Sequence, residues 1–161
     1  MATTPFANMF LGNNVKVEYA AAPASGVATK FSELKNLASF PAVGGAESNI
    51  VEIKQFGEAY SRKLAGGKKV PDIDIKVNWI PGDVGHEAMA AFAESAELVQ
   101  LKITYYESVA EKNGFFVIVN GYVTSTTVSG DYDKQVQMDF KFTVSGAPVK
   151  RGLIDPALPA V

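Results

Sequence analysis

The sequence predicts a mainly β fold, an antiparallel sandwich or barrel with one flanking α-helix. Residues 72–79 alternate strictly between polar and apolar side chains, which puts one face of a strand in a core and the other in water. Most segments between such strands are too short for parallel crossovers, so we expect antiparallel pairing. Only residues 84–95 combine helical spacing of apolar side chains with four alanines. The total is about six or seven strands and one substantial helix.

The bulk composition fits one domain spanning residues 1–161, with 47% hydrophobic and 20% charged residues. The net charge of −2 argues against a dedicated duplex-DNA binder, which needs basic residues for phosphate contacts. The lack of cysteine excludes disulfides and the common structural zinc sites, and it fits assembly in a reducing cytoplasm. No apolar run reaches the ~18 residues of a membrane span, and no signal peptide is expected.

The N-terminal arm, residues 1–14, has an unusual composition. Residues 2–15 carry no charge, whereas a free disordered tail is normally polar. The arm contains four large apolar residues: Phe6, Met9, Phe10 and Leu11. Such an arm is typical of an interface core. The alternative, that the arm packs on its own domain, stays open.

The N-terminal half of the domain contains two predicted strands. Residues 15–19 alternate and form the first, and residues 48–56 form the second. Residues 27–40 are ambiguous, because their apolar side chains also fit helical spacing. In the second strand Glu52 and Lys54 share one face, and the apolar residues Val51 and Ile53 share the other.

Residues 57–71 form a long inter-strand loop. The loop is basic, with Arg62, Lys63, Lys68 and Lys69 against a single acid. Loops of this length inside compact domains are uncommon and are usually functional or disordered. One interpretation is a solvated basic hairpin extension. The other is a protruding element that reaches a neighbouring subunit.

The helix follows a turn. Pro81-Gly82 ends the strand 72–79, because proline lacks a backbone donor and glycine permits positive φ. Asp83 is then placed to cap the helix 84–95 by accepting from its free N–H groups. We expect one face of this helix to lie over the sheet, extended by Met89 and Ala96: Val84, Ala88, Ala91, Phe92 and Ser95.

Three further strands complete the sheet, over residues 99–107, 115–128 and 135–144. The Asn113-Gly114 dipeptide, after Lys112, favours a tight hairpin between the first two of them. The final segment, residues 150–161, contains Pro156 and Pro159. Because proline cannot donate to a central ladder, we expect a C-terminal strap or a frayed end.

No catalytic site, cofactor or metal site is predicted. His86 is the only histidine, which excludes sites that need two, and its place in the first helical turn predicts an exposed side chain. The pairs Asp72/Asp74 and Asp131/Asp133 fit solvated strand and turn positions better than a calcium loop.

The order of elements from Asn78 to Met89 resembles the major tail tube protein of long-tailed, lambda-like bacteriophages (siphoviruses). Along the chain, a strand that ends at Trp79 is followed by the Pro81-Gly82 turn, by Gly85 and by the helix. The resemblance continues through Tyr122–Ser125 and covers roughly residues 72–149, with residues 30–60 fitting more loosely.

The resemblance implies a structural role rather than an enzyme. Proteins of this family form hexameric rings that stack into a hollow tube, the conduit for DNA ejection into the host. The implied partners are copies of the same chain, the tail tip and terminator proteins, and the tape-measure protein and double-stranded DNA in the lumen. The implied location is the virion tail, after assembly in the host cytoplasm.

A DNA channel should be hydrated and should not trap phosphates, so the polar strand faces are the candidates for the inner wall. The lumen candidates are Glu52, Lys54, Asp72, Asp74, Lys76, Asn78, Gln135, Gln137, Asp139, Lys141 and Thr143. Their mixed charges predict a weakly anionic to neutral wall, and which of these faces points inward stays open.

The arm, the long loop and the strap supply the candidates for contacts between subunits. The inter-subunit candidates are Phe6, Met9, Phe10, Leu11, Arg62, Lys63, Lys68, Lys69, Leu153, Ile154 and Leu158. The alternatives are a related secretion-system tube, a tail-terminator ring protein, and a monomeric ligand-binding β-domain.

Overall fold

The computed structural model describes residues 9–110 and 113–154 of the chain. Phe6, Leu158, Lys112 and the remaining residues of both termini therefore lie outside the described part. The described residues form nine strands and one helix: β1 (Val15–Ala21), β2 (Ser32–Leu34), β3 (Glu47–Ile53), β4 (Arg62–Lys69), β5 (Ile73–Asn78), α1 (Val84–Ser95), β6 (Val99–Tyr106), β7 (Gly114–Asp131), β8 (Lys134–Val144) and β9 (Lys150–Ile154).

Seven strands form one antiparallel sheet in the order β2-β1-β6-β7-β8-β5, with β9 paired to β7. β3 and β4 form a separate two-stranded hairpin. The sheet curls until Leu37, just beyond β2, makes a single antiparallel bridge to Val77 of β5. The predicted mainly β, antiparallel fold with one flanking helix is confirmed, and the curled sheet stops short of a closed barrel.

The core lies inside the curl and under the helix. The strict alternation of β5 is confirmed, because Ile73, Ile75 and Val77 are fully buried and the residues between them are exposed. Phe140 and Phe142 of β8 face them from the neighbouring strand. Among the described residues, none of the helical segments has the length and hydropathy that a bilayer crossing requires.

The predicted helix bounds and cap are confirmed. Gly82 has a φ of 84°, and Asp83 Oδ1 accepts from the backbone N–H groups of Gly85 (2.9 Å) and His86 (3.3 Å). The predicted buried face is confirmed at Met89, which is fully buried, and at Ala88 and Phe92, which are half-buried. It is wrong at Val84, which is 81% exposed, and at Ala91, Ser95 and Ala96, which are exposed as well. Gly85 is buried in the first turn, where a Cβ would lie 3.3 Å from Asp83 Oδ1 and 3.5 Å from Leu34 Cδ1, so this turn packs closely against β2.

The prediction of an exposed His86 is also wrong, because the side chain is fully buried. Its Nδ1 accepts from the Ile80 N–H (3.3 Å), and its Nε2 donates to the Lys35 carbonyl (3.1 Å). Both ring nitrogens are satisfied by backbone groups, which is the condition for burying a neutral imidazole. His86 thereby ties the turn before α1 to the segment after β2.

The prediction that residues 57–71 form one long loop is wrong. Residues 62–69 form β4, so that the connection from β3 shortens to residues 54–61. Cross-strand pairs of opposite charge favour this pairing, with Glu47 opposite Lys69 and Glu52 opposite Lys63. All of β3 and β4 is exposed, so the apolar face of β3 does not join the core.

The prediction of a C-terminal strap or frayed end over residues 150–161 is wrong for the first five of these residues. Residues 150–154 are β9, which pairs with residues 114–118 of β7. An edge strand is possible here because both prolines come after it, at 156 and 159.

Candidate functional site

The long strand β7 is paired on both edges near its start and on one edge only in its second half. Residues 114–121 pair with β6, and residues 114–118 of them also pair with β9, whereas residues 122–131 pair only with β8. β6 ends where Val99 meets Gly121, and no described strand covers the same edge of β7 beyond that point. Residues 124–136 are exposed on both faces. β7 therefore presents a free edge about ten residues long, over residues 122–131.

We call β5, β8 and the free-edged part of β7 the polar ribbon, because their register aligns polar side chains on one face. Across β5 and β8, Asp74 lies opposite Lys141, Lys76 opposite Asp139, and Asn78 opposite Gln137. Across β8 and β7, Lys141, Asp139 and Gln137 lie opposite hydroxyl residues: Ser125, Thr127 and Ser129. The structure thus brings two of the three predicted polar sets onto one surface.

Ion pairs neutralise both lysines on the polar face of the ribbon. Lys76 Nζ lies 3.6 Å from Asp139 Oδ2, and Lys141 Nζ lies 3.5 Å from Asp72 Oδ2. Asp74 is a further carboxylate on this face, so two lysines meet three aspartates and one net negative charge remains. These pairs are half exposed and add little to stability. Their consequence is electrostatic, because neither lysine is left as an uncompensated cation.

Amides and hydroxyls occupy the rest of the ribbon. Asn78 Oδ1 accepts from Gln135 Nε2 (3.3 Å) and Gln137 Nε2 (3.4 Å). Thr143 Oγ1 lies 3.5 Å from Thr124 Oγ1 on β7. The face therefore offers water many donors and acceptors and little fixed charge.

The third predicted polar set lies elsewhere. Glu52 and Lys54 belong to β3 and the loop after it, away from the polar ribbon. Glu52 accepts a hydrogen bond from Ser61 Oγ and faces Lys63 across the hairpin.

The predicted inter-subunit residues lie on three exposed segments. On the arm, Met9 is 100% exposed, and Phe10 and Leu11 are exposed as well. On the hairpin, Arg62 and Lys69 form surface ion pairs with Glu58 (3.1 Å) and Glu47 (3.8 Å). Lys63 and Lys68 are exposed on the same strand, and on β9 Leu153 is exposed and Ile154 half-buried.

Sequence reasoning missed the apolar surface of the β3–β4 hairpin. Its exposed large side chains are Ile50, Val51, Ile53, Phe56, Tyr60 and Leu64. The sequence does contain a signal for this surface. The predicted strand 48–56 has an apolar face, and no second amphipathic strand is predicted that would cover that face. The hydroxyl row of β7 was missed too, although residues 122–129 contain five serines and threonines.

Two tyrosines, the buried Tyr19 and the half-buried Tyr105, have shifted pKa values, and neither lies on the ribbon. Burial raises the pKa of Tyr105, opposed by a backbone hydrogen bond, and burial likewise raises the pKa of Tyr19. Within residues 9–110 and 113–154, no three acidic or histidine side chains are grouped so that they could hold a metal ion.

No protein-family model matches the sequence, and no curated protein matches it. Solved structures match the fold over most of the chain. A chain of the anti-feeding prophage baseplate, 6-fold symmetrised, has a TM-score of 0.68 at 6% identity, covering 95% of this chain and 100% of that one. A chain of the extracellular contractile injection system PVC sheath/tube terminator has a TM-score of 0.64 at 12% identity, covering 91% and 96%. The SPP1 tail tube protein has a TM-score of 0.63 at 13% identity, covering 91% and 80%.

At these identities the likeness is one of fold. The chain has the fold that phage tail tubes and contractile injection systems share, as the sequence resemblance predicted.

Proposed function

We propose that this chain is a structural tube subunit, six copies of which form a ring, and that the rings stack into the hollow tail tube of a bacteriophage. The free edge of β7 carries the proposal. An uncovered edge of this length is an aggregation hazard that monomeric proteins normally avoid. A neighbouring copy that pairs with residues 122–131 removes the hazard and extends the sheet from one subunit to the next.

The polar ribbon lines the bore in this arrangement. A wall that carried uncompensated lysines would hold duplex DNA through its phosphates. Here Lys76 and Lys141 are paired with aspartates, and one net negative charge per copy gives roughly six per ring, which repels phosphate weakly. Over β5 and residues 138–142 of β8, the opposite face is apolar and turns toward the core. Double-stranded DNA and, before it, the tape-measure protein would pass over the polar face.

The arm, the β3–β4 hairpin and β9 are the proposed contacts between subunits and rings. Obligate interfaces commonly bury roughly 2,000–5,000 Å², more than a compact body of this size offers without extensions. The hairpin fits this role, because a two-stranded sheet with exposed apolar side chains on both strands is marginal in water by itself. Such a subunit would work in the virion tail, between the tail tip and the terminator, after assembly in the host cytoplasm.

A ring that ends a tube is the second candidate. The likeness to a chain of a sheath/tube terminator favours it, and a tube of a contractile or secretion system has the same geometry. Both keep the polar ribbon and the free edge and differ in how far the rings stack.

Electron microscopy of the purified chain at high concentration, in negative stain, tests the proposal. Long hollow rods with sixfold end views support the tube. Single rings favour the terminator. A featureless monomer at every concentration overturns both and leaves a monomeric ligand-binding domain.

A further inference from the structure

An aromatic residue projects from the tip of the polar ribbon. Tyr132, in the turn between β7 and β8, is 98% exposed. Asp131 and Asp133 flank it, and Asp131 Oδ1 accepts the Tyr132 N–H at 2.8 Å. Single exposed aromatics are ordinary on protein surfaces. This one is unusual in its setting, at the end of a protruding hairpin with a carboxylate on either side.

A cavity of about 400 Å³ opens at the other end of the subunit, between the loop 43–46 and β9. Its walls are mostly apolar: Val43, Phe115, Val117 and Pro148. Arg151 lines it as well and is exposed, with no ion pair to any residue of the described part. Apolar walls with one placed charge are the usual chemistry of a recognition pocket, and the volume lies in the range of roughly 300–1,000 Å³ for such sites.

The tip and the cavity are separated by the length of β7. Phe115 lies at the start of this strand and Asp131 at its end, which at about 3.3 Å per residue is roughly 50 Å. The tip of one copy therefore cannot reach its own cavity. A contact between opposite ends of two copies is heterologous, and it repeats indefinitely when the rotation does not close it.

We infer that the Asp131-Tyr132-Asp133 tip of one copy inserts into the Arg151 cavity of a copy in the next ring. The phenol ring packs on the apolar wall, and the flanking carboxylates meet the guanidinium group, which pairs well with carboxylates. The opposite charges on tip and cavity identify a second copy of this chain as the occupant. The inference rests on the proposed tube and assigns one of its stacking contacts.

Disulfide trapping tests the contact directly, since the chain contains no cysteine. We would combine Tyr132→Cys with Ala46→Cys, which lines the cavity, and use Tyr132→Cys with Ala42→Cys as the matched control, because the exposed Ala42 comes just before the loop and does not line the cavity. Oxidised tubes of the first variant should give, on a denaturing gel, a ladder that extends beyond six linked chains. A ladder that stops at six means that the contact closes around one ring, and either this result or the absence of a ladder overturns the inference. A ladder of equal strength from the control also overturns it.

A charge exchange gives an independent readout. Asp133→Arg or Arg151→Asp alone should raise the concentration needed for polymerisation at least about tenfold, whereas the two together should restore it to near the wild-type value. Single variants that polymerise like wild type, or a double variant that stays defective, contradict the contact. If the variants contradict the contact while the wild-type chain still forms tubes, only the contact is refuted and the proposed function stands. If the wild-type chain never polymerises, the proposed function itself is refuted.

Discussion

Lys76 on β5 lies directly opposite Asp139 on β8, and its Nζ lies 3.6 Å from Asp139 Oδ2. A second ion pair joins the same strands diagonally, because Lys141 lies opposite Asp74 and its Nζ lies 3.5 Å from Asp72 Oδ2. The polar ribbon thus holds cations without exposing uncompensated positive charge. The paired lysines keep this face hydrated, but they are not free to bind the phosphates of DNA.

Reversing the charge of the ribbon should slow DNA passage. Replacing Asp72, Asp74 and Asp139 with lysine leaves five lysines on the face and no acid to pair with them. Tubes should still form, because these side chains face away from the core, but DNA release from particles should be about tenfold slower. Fluorescent detection of released DNA measures the rate. The matched asparagine variant is the control, and normal release by the lysine variant removes the lumen assignment.

Removing the β3–β4 hairpin should abolish polymerisation and spare the fold. The hairpin belongs to no other sheet, and its side chains are exposed throughout. Residues 47–69 would be replaced by a short Gly-Ser linker, because deletion of residues 60–69 alone would strip β4 from β3. Size-exclusion chromatography and circular dichroism should show a folded monomer with the helix and main sheet intact. Unaltered tubes would refute a role for the hairpin.

His86→Ala should destabilise the monomer strongly. The substitution empties a fully buried site and removes the partners of the Ile80 N–H and the Lys35 carbonyl, both in part-buried hydrogen bonds, and a buried polar group left unsatisfied costs about 1–3 kcal/mol. We expect a loss of roughly 2–4 kcal/mol in the free energy of unfolding, measured with urea. Glu87→Ala, on the exposed side of the same turn, should change it by less than about 0.5 kcal/mol. Equal effects of the two substitutions would contradict the anchoring role of His86.

Tyr105 should make the fold sensitive to alkaline pH. Burial raises the folded-state pKa above 10.0, so the neutral phenol is the form that stabilises the fold. The contribution is complete below the unfolded pKa of about 10 and is lost as pH rises through the folded pKa. Tyr105→Phe should cost about 1 kcal/mol at pH 7, through the lost hydrogen bond to the Pro41 carbonyl (3.0 Å), and should flatten the decline of Tm above pH 10. If the Tm of the variant declines above pH 10 as it does in the wild type, groups other than Tyr105 cause the decline.

The free edge of β7 should become protected on assembly. In the monomer, amides of residues 122–131 that point away from β8 have no strand partner among the described residues. They should exchange with deuterium at least about a hundredfold faster in the monomer than in tubes, because ladder hydrogen bonds protect amides. Residues 99–105 of β6, paired on both sides in the monomer, serve as the internal reference. Equal exchange of the edge in both states would contradict pairing between subunits.

The parts of the fold that could be predicted from the sequence are those fixed by local chemistry. The alternation of β5 and the Asp83 cap depend on neighbours within a few residues, so they are visible in the chain itself. β4 and β9 could not be predicted, because each is a strand only through its cross-strand partners, and β9 finds them more than thirty residues away. His86 belongs to the same class, since its burial depends on the Lys35 carbonyl, 51 positions away. The polar ribbon was half predicted: its side chains were identified, but their union into one surface required the register of β5 and β8.

Cryo-electron microscopy of the assembled chain would show the free edge of β7 and the polar ribbon in one experiment. We expect a sixfold hollow tube in which residues 122–131 of each copy pair with a strand of the next copy and the polar face of β5 and β8 faces the bore. A chain that stays monomeric at high concentration, or an assembly in which this edge is uncovered and that face lies outside, would contradict this expectation.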